Sequence, residues 1–277
     1  MTASPSPLEK PTRLVPSADG TPIAVFTSGV GPGLVLVHGA AADHTTFRVL
    51  GPLLATRFTI HAIDRRGRGA SGDRSPYAID REFEDLAAVA TVLAAEARGS
   101  VDVFGHSYGG RCALGAALLT QDIGRVISYE GAPTPPGERY GDAALPRELA
   151  ALAAAGQDER LLEIFMTRVV GMSADDLHRY RSDPIWPRRV AAAATIAREV
   201  AVESGDEAGL DRLGAVEQPV LQILGGDSRR EFSVATAALD DRLADGTIIV
   251  IPGAKHAAHH THADAVVEAT TAFLASP

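Results

Sequence analysis

Short, almost uninterrupted apolar runs recur along this chain, separated by stretches in which apolar residues return every third or fourth position. The runs are LVLVHG (34–39), FTIHAID (58–64), VDVFG (101–105), RVISYE (125–130), PVLQILG (219–225) and TIIVIPG (247–253). Runs of this length, several closed by glycine, suit strands covered on both faces. Helical spacing predicts helices over Thr45–Ala55, over Asp80–Glu96 (Phe83, Leu86, Ala90, Leu93), over Arg111–Leu119 and over Ala263–Leu274. Thr261 and Asp264 read as a capping box at the start of the last one. Near the N-terminus, strand-like Arg13–Pro16 and Ile23–Thr27 flank Ala18-Asp19-Gly20, a hairpin signal. Strands alternating with helices predict an α/β fold with a mostly parallel central sheet flanked by helices.

One segment breaks the alternation. Residues 133–214 carry helical periodicity throughout (RELAALAAAG, ERLLEIFMTRVV, WPRRVAAAATIAREVAV) and lie between two sheet strands. They predict a helical lid inserted over one end of the sheet. The organisation is therefore a disordered lead-in over 1–11, a core over 12–132 and 215–277, and a lid over 133–214.

Composition narrows the possibilities. With 277 residues, 45% hydrophobic but only 5% aromatic, the chain can bury a sizeable core built mainly of aliphatic side chains. A net charge of -9 disfavours nucleic acid, whose binding rests on Lys and Arg, and disfavours an anionic membrane surface. Cys112 is the only cysteine, so neither an internal disulfide nor a thiolate metal cluster can form, and it reads as buried filler. No apolar run approaches the ~20 residues of a membrane span, and the Pro- and Ser-rich start lacks a signal-peptide core. A cytoplasmic protein acting on a small molecule is expected, with homodimerisation left open.

The chemistry centres on Gly105-His106-Ser107-Tyr108-Gly109, a G-x-S-x-G pattern placed between a predicted strand and a predicted helix. That turn holds serine in a strained conformation above the sheet edge, which points to Ser107 as a nucleophile. A serine needs a base, and His256, just past the last predicted strand, is the candidate. Its neighbours His259, His260 and His262 raise metal binding, but no carboxylate or cysteine set completes a ligand constellation, so no metal is expected. Two carboxylates can orient the imidazole: Asp227 after PVLQILGG, which is favoured, and Glu130 at the end of RVISYE.

Acyl transfer also needs donors for a developing oxyanion. The backbone N–H groups of Ala40 and Tyr108 are the candidates, with His38 and Gly39 bordering the substrate pocket. Phe165, Met166 and Trp186 fall at helical spacing, where packing is the ordinary role, and are candidates for an apolar pocket wall. Asp64–Ser71 (DRRGRGAS) lacks the Lys-Ser/Thr ending of a phosphate loop and reads as a structural turn with Arg–Asp pairing.

HGA (38–40), DRRGRGAS (64–71), GHSYGG (105–110), ILGGD (223–227) and PGAKH (252–256) together resemble the α/β-hydrolase superfamily, from about residue 12 onward. The resemblance implies that fold, a lid over the nucleophile, and the Ala40 and Tyr108 amides as the oxyanion hole. In the superfamily the acid usually stands further past the penultimate strand than this chain's GGDS allows, and some relatives carry it where Glu130 stands. Haloalkane dehalogenases and many epoxide hydrolases of this fold use an aspartate nucleophile, and Ser107 argues against both activities. The expected activity is cofactor-free hydrolysis of an ester, lactone or thioester of a small, largely apolar substrate through an acyl-enzyme. The same constellation supports carbon–carbon bond hydrolysis, perhydrolysis or a cyclase or lyase step, and the fold also serves non-catalytic ligand binders.

Overall fold

Described over residues 10–203 and 205–275 in a computed structural model, the chain builds one 8-stranded sheet. Residues 1–9 of the expected lead-in lie outside the described residues. In chain order the strands are β1 (Arg13–Pro16), β2 (Pro22–Gly29), β3 (Gly33–Val37), β4 (Thr59–Ile63), β5 (Val101–His106), β6 (Ile123–Tyr129), β7 (Val220–Gly225) and β8 (Gly246–Ile251). Their spatial order is β1-β2-β4-β3-β5-β6-β7-β8. β1 and β2 form the predicted hairpin and β2 joins β4 antiparallel, while every pairing from β4 to β8 is parallel.

The helices are α1 (Leu50–Leu54), α2 (Ile79–Ala97), α3 (Tyr108–Ala117), α4 (Leu145–Ala154), α5 (Asp158–Arg168), α6 (Ala174–Arg181), α7 (Trp186–Ala191), α8 (Ala194–Val202), α9 (Leu210–Leu213), α10 (Arg230–Asp240), α11 (Ala258–Thr261) and α12 (Ala263–Ala275). Phe83, Leu86, Ala90 and Leu93 of α2 pack with α3, α9 and α10 on one sheet face. Phe47, Leu50, Leu54 and Val266 join α1 and α12 on the other. Such two-sided cover explains why the central strands read as continuous apolar runs. A further cluster forms around Leu145, Leu149, Leu161, Leu162 and Ile196 of the insertion, and Ala41 of the core joins it.

Three local expectations need correction. The helix predicted over Thr45–Ala55 splits into a 3-10 turn at His44–Phe47 and α1. Pro52 lacks an N–H and would clash with the carbonyl four residues back, so a helix containing it must begin close by. Thr261 does not cap α12: its hydroxyl donates back to Ala257 O, just before α11. Helix α10 had no counterpart in the sequence reading, although β7 and β8 are parallel and require a crossover between them.

The DRRGRGAS turn is structural, as its composition suggested. Asp64 accepts from the N–H groups of His44 and Ala70 and from His44 Nδ1, all at 2.8 Å. Arg65 forms a fork with Glu82 (2.8 and 2.9 Å), and Arg66 forms one with Asp85 (2.6 and 2.7 Å). Arg65 and Arg68 both donate to Glu199 Oε1 from α8, tying the insertion to the core through buried charge. Burial alone would raise the Glu82 carboxyl, but the Arg65 and Arg68 charges outweigh it and hold the group well below the usual carboxylate range.

Candidate active site

Strand register assembles the site. Val37 pairs with Gly105 and His106 pairs with Tyr129, so the loops after β3, β5 and β6 leave the sheet side by side. This is the reversal point, with β4 on one side of β3 and β5 on the other, where open α/β sheets hold ligands. Ser107 and Glu130 are each one residue beyond a paired strand end.

Ser107 sits at φ 55°, ψ -126°, a backbone region that side chains rarely adopt, immediately before α3. The turn is locked by Ser107 N–H donating to Tyr129 O and Gly110 N–H donating to Ser107 O, both at 2.8 Å. A Cβ added to Gly105 would strike Gly109, and one added to Gly109 would strike the Val37 carbonyl, so this sharp turn admits only glycine there. Strain held by its surroundings in this way is a property of functional sites.

The carboxylate that meets His256 is Glu130, not the favoured Asp227. His256 Nδ1–H donates to Glu130 Oε2 at 2.5 Å, while Glu130 Oε1 accepts from Gly225 N–H (2.8 Å) and Ser228 Oγ (2.5 Å). Glu130 is itself in the left-handed region at φ 48°, a second strained non-glycine residue. Asp227 is exposed in the turn after β7, where its N–H donates to Ala254 O. The physical reason is register: β6 lies between β5 and β7, so the carboxylate ending β6 meets the imidazole while the β7 turn carries Asp227 outward.

Further groups hold His256. His106 Nε2–H donates to the His256 carbonyl at 2.8 Å. Burial, reinforced by the His256 charge, holds the His106 imidazole well below its ordinary pKa, so it is a neutral donor. Tyr129 Oη donates to Lys255 O and accepts from Ala258 N–H (2.9 Å), bracing the loop on both sides of His256. The Phe232 ring from α10 stacks on the imidazole at 4.5 Å.

Ser107 and His256 border the same two cavities, of about 260 and 30 Å³. Among the described residues the Ser107 hydroxyl has no hydrogen-bond partner; catalytic contacts of this kind commonly tighten only with substrate. The N–H groups of Ala40 and Tyr108 likewise donate to no acceptor among the described residues, and both residues border the smaller cavity. The Tyr108 phenol points away into the core, 2.9 Å from Tyr77 Oη and beneath the Arg65 guanidinium.

Gly39, Phe165 and Met166 border the larger cavity. His38 and Trp186 do not, and those two assignments are corrected. His38 is fully buried behind the β3 loop, its Nδ1–H donating to Gly39 O (2.8 Å) and its Nε2 accepting from Arg65 N–H (3.0 Å). Trp186 packs inside the insertion and donates to Glu159 at 3.0 Å. Among the described residues no group of three His, Cys, Asp or Glu side chains gathers as metal ligands would. Sequence reasoning missed Ser228, Tyr129, His106 and Phe232, whose roles depend on contacts far apart in the chain.

The model of the alpha/beta hydrolase family matches residues 34–269. A pimeloyl-[acyl-carrier protein] methyl ester esterase of Xanthomonas campestris is 30% identical over 255 residues, covering 90% of this chain and 97% of that protein. A 2-(acetamidomethylene)succinate hydrolase of Mesorhizobium japonicum is 28% identical over 259 residues, covering 90% of each. Among solved structures, an alpha/beta hydrolase from Sphaerobacter thermophilus superimposes with a TM-score of 0.79 at 34% identity, covering 93% of this chain and 100% of that one. With fold, strained serine turn and residue pattern in agreement, the chain belongs to the alpha/beta hydrolase family.

Proposed function

We propose that this protein is a serine hydrolase cleaving a carboxylic ester, lactone or thioester of a small substrate through an acyl-enzyme. The observation that carries the reading is the Glu130–His256 hydrogen bond beside a strained Ser107 that opens onto the same cavity. Ser107 Oγ attacks the carbonyl carbon as His256 Nε2 takes its proton, and Glu130 stabilises the imidazolium through Nδ1–H. The Ala40 and Tyr108 N–H groups receive the carbonyl oxygen as it becomes an oxyanion. His256 then protonates the departing alkoxide or thiolate. Water, deprotonated by the same imidazole, releases the acid and restores the serine. The names of the two curated relatives, a hydrolase and a methyl ester esterase, support hydrolysis, and the second supports ester cleavage.

Helix α5 and the loop after it wall the larger cavity with Phe165, Met166, Val170 and Met172, which supports a largely apolar acyl group and a lid role for this segment. The test is labelling by a fluorophosphonate, followed by hydrolysis of p-nitrophenyl esters of graded length. The expected result is rapid labelling that Ser107→Ala abolishes, with kcat/KM peaking at short to medium chains. A folded protein inert to both reagents would be a binder instead.

A further inference from the structure

One part of the cavity wall does not suit a purely apolar substrate. Arg189, on α7 of the insertion, is only 2% exposed yet borders the cavity that holds Ser107 and His256. Its Nε donates to Tyr180 Oη (3.2 Å), and Nη1 reaches Asp43 at 3.4 Å. Asp43 is already well supplied: Arg188 reaches its Oδ2 at 2.7 Å, and Thr45 N–H and Oγ1 both donate to its Oδ1. Among the described residues no partner takes Arg189 Nη2.

The surroundings are cationic too. Arg48 borders the same cavity and pairs with Asp183 at 3.3 Å, at a site open to solvent. Arg48, Arg188 and Arg189 thus share Asp43 and Asp183, leaving positive charge in excess in a chain whose net charge is -9. Two imidazoles complete the wall, His259, buried, and His260; their Nδ1 atoms have no partner and are closed off from solvent. Burial, aided by neighbouring positive charge, keeps both below their ordinary pKa, so both rings are neutral.

A nearly dry guanidinium with a weak counter-ion is costly unless something else satisfies it. Guanidinium also matches a carboxylate in planar, forked geometry better than any other side chain. We propose that the substrate carries a second, free carboxylate, bound by Arg189 with Arg48, while its ester carbonyl lies at Ser107. The acyl chain lies against Phe165, Met166 and Met172, which line the same cavity. The substrate class is therefore the half-ester, half-thioester or lactone of a short dicarboxylic acid. This inference rests on the serine-hydrolase reading above.

The test compares monomethyl glutarate and monomethyl adipate with their dimethyl esters, on wild type, Arg189→Gln and Arg48→Gln. Wild type should favour the half-esters about tenfold or more in kcat/KM, since charged hydrogen bonds are worth ~1.5–3 kcal/mol each. Arg189→Gln should collapse that ratio towards one, mainly through KM, and Arg48→Gln should lower it less. Should Arg189→Gln fail to fold, wild type alone decides: free glutarate should slow fluorophosphonate labelling of Ser107 and neutral glutaramide should not. Equal or reversed preference in wild type, an unchanged ratio in Arg189→Gln, or no protection by glutarate overturns the carboxylate site alone. Absence of both labelling and turnover overturns the hydrolase reading with it.

Discussion

Glu130 and Glu199 both border the smaller cavity at Ser107 and are both buried against nitrogen donors, yet their partners differ in what they can do with a proton. Glu130 faces an imidazole, whose charge can appear and vanish within one catalytic cycle. Glu199 faces Arg65 and Arg68, which stay charged at any working pH. Around Glu130 the backbone is strained, and backbone N–H and hydroxyl donors hold the carboxylate still. Around Glu199 the partners form a fixed ion network that fastens α8 to the turn after β4. In the proposed mechanism the same residue type serves a moving charge in one place and architecture in the other, and the partner decides which.

Substitutions should separate the two. The largest effect belongs to the base: His256→Gln should lower kcat by about 10⁴-fold or more while leaving the thermal unfolding midpoint near wild type. A modest loss would mean that another group takes the serine proton. In the ion network the cost should fall on stability. Glu199→Gln removes the shared counter-charge of Arg65 and Arg68, and ~3–5 kcal/mol should disappear from urea unfolding, with turnover of the folded enzyme affected far less. A stable Glu199→Gln variant with poor kcat would erase the distinction.

Acid should weaken the fold through a third set of groups. Burial lowers His38 to about 3 and His61 and His260 to about 4, so these rings stay neutral when folded but bind protons near pH 6.5 when unfolded. The stability they contribute is complete above about pH 6.5 and drains as pH falls towards 4, because the unfolded chain then binds more protons. Urea midpoints measured from pH 7.5 to 4.5 should decline steadily; a flat profile would contradict the burial of these rings. The smallest effect concerns packing: Phe232→Leu removes the ring stacked on His256 and should cost kcat about two- to fivefold, since such ring pairs are worth ~0.5–1.5 kcal/mol.

Much of this was legible beforehand because the relevant signals are local. Continuous apolar runs mark strands covered on both faces, and GHSYG announces its own strand, turn and helix. The acid was not local. Choosing Glu130 over Asp227 requires knowing that Tyr129 stands beside His106 and that β7 turns outward afterwards, which are facts of strand register. Trp186 and His38 misled for a similar reason, since spacing says that a side chain is buried but not which cavity it faces. Arg189 had no signal beyond being one of two adjacent arginines in a helical stretch, and its meaning comes from Asp43, 146 positions away.

The proposed mechanism depends most on the carboxylate that holds the imidazole. kcat for one p-nitrophenyl ester, measured side by side for Glu130→Gln and Asp227→Asn, tests it most directly. A neutral amide at 130 cannot stabilise the imidazolium, so Glu130→Gln should lose about 10³- to 10⁴-fold, and Asp227→Asn should stay within about twofold, as exposed substitutions away from a site do. A crippled Asp227→Asn beside an active Glu130→Gln would contradict it.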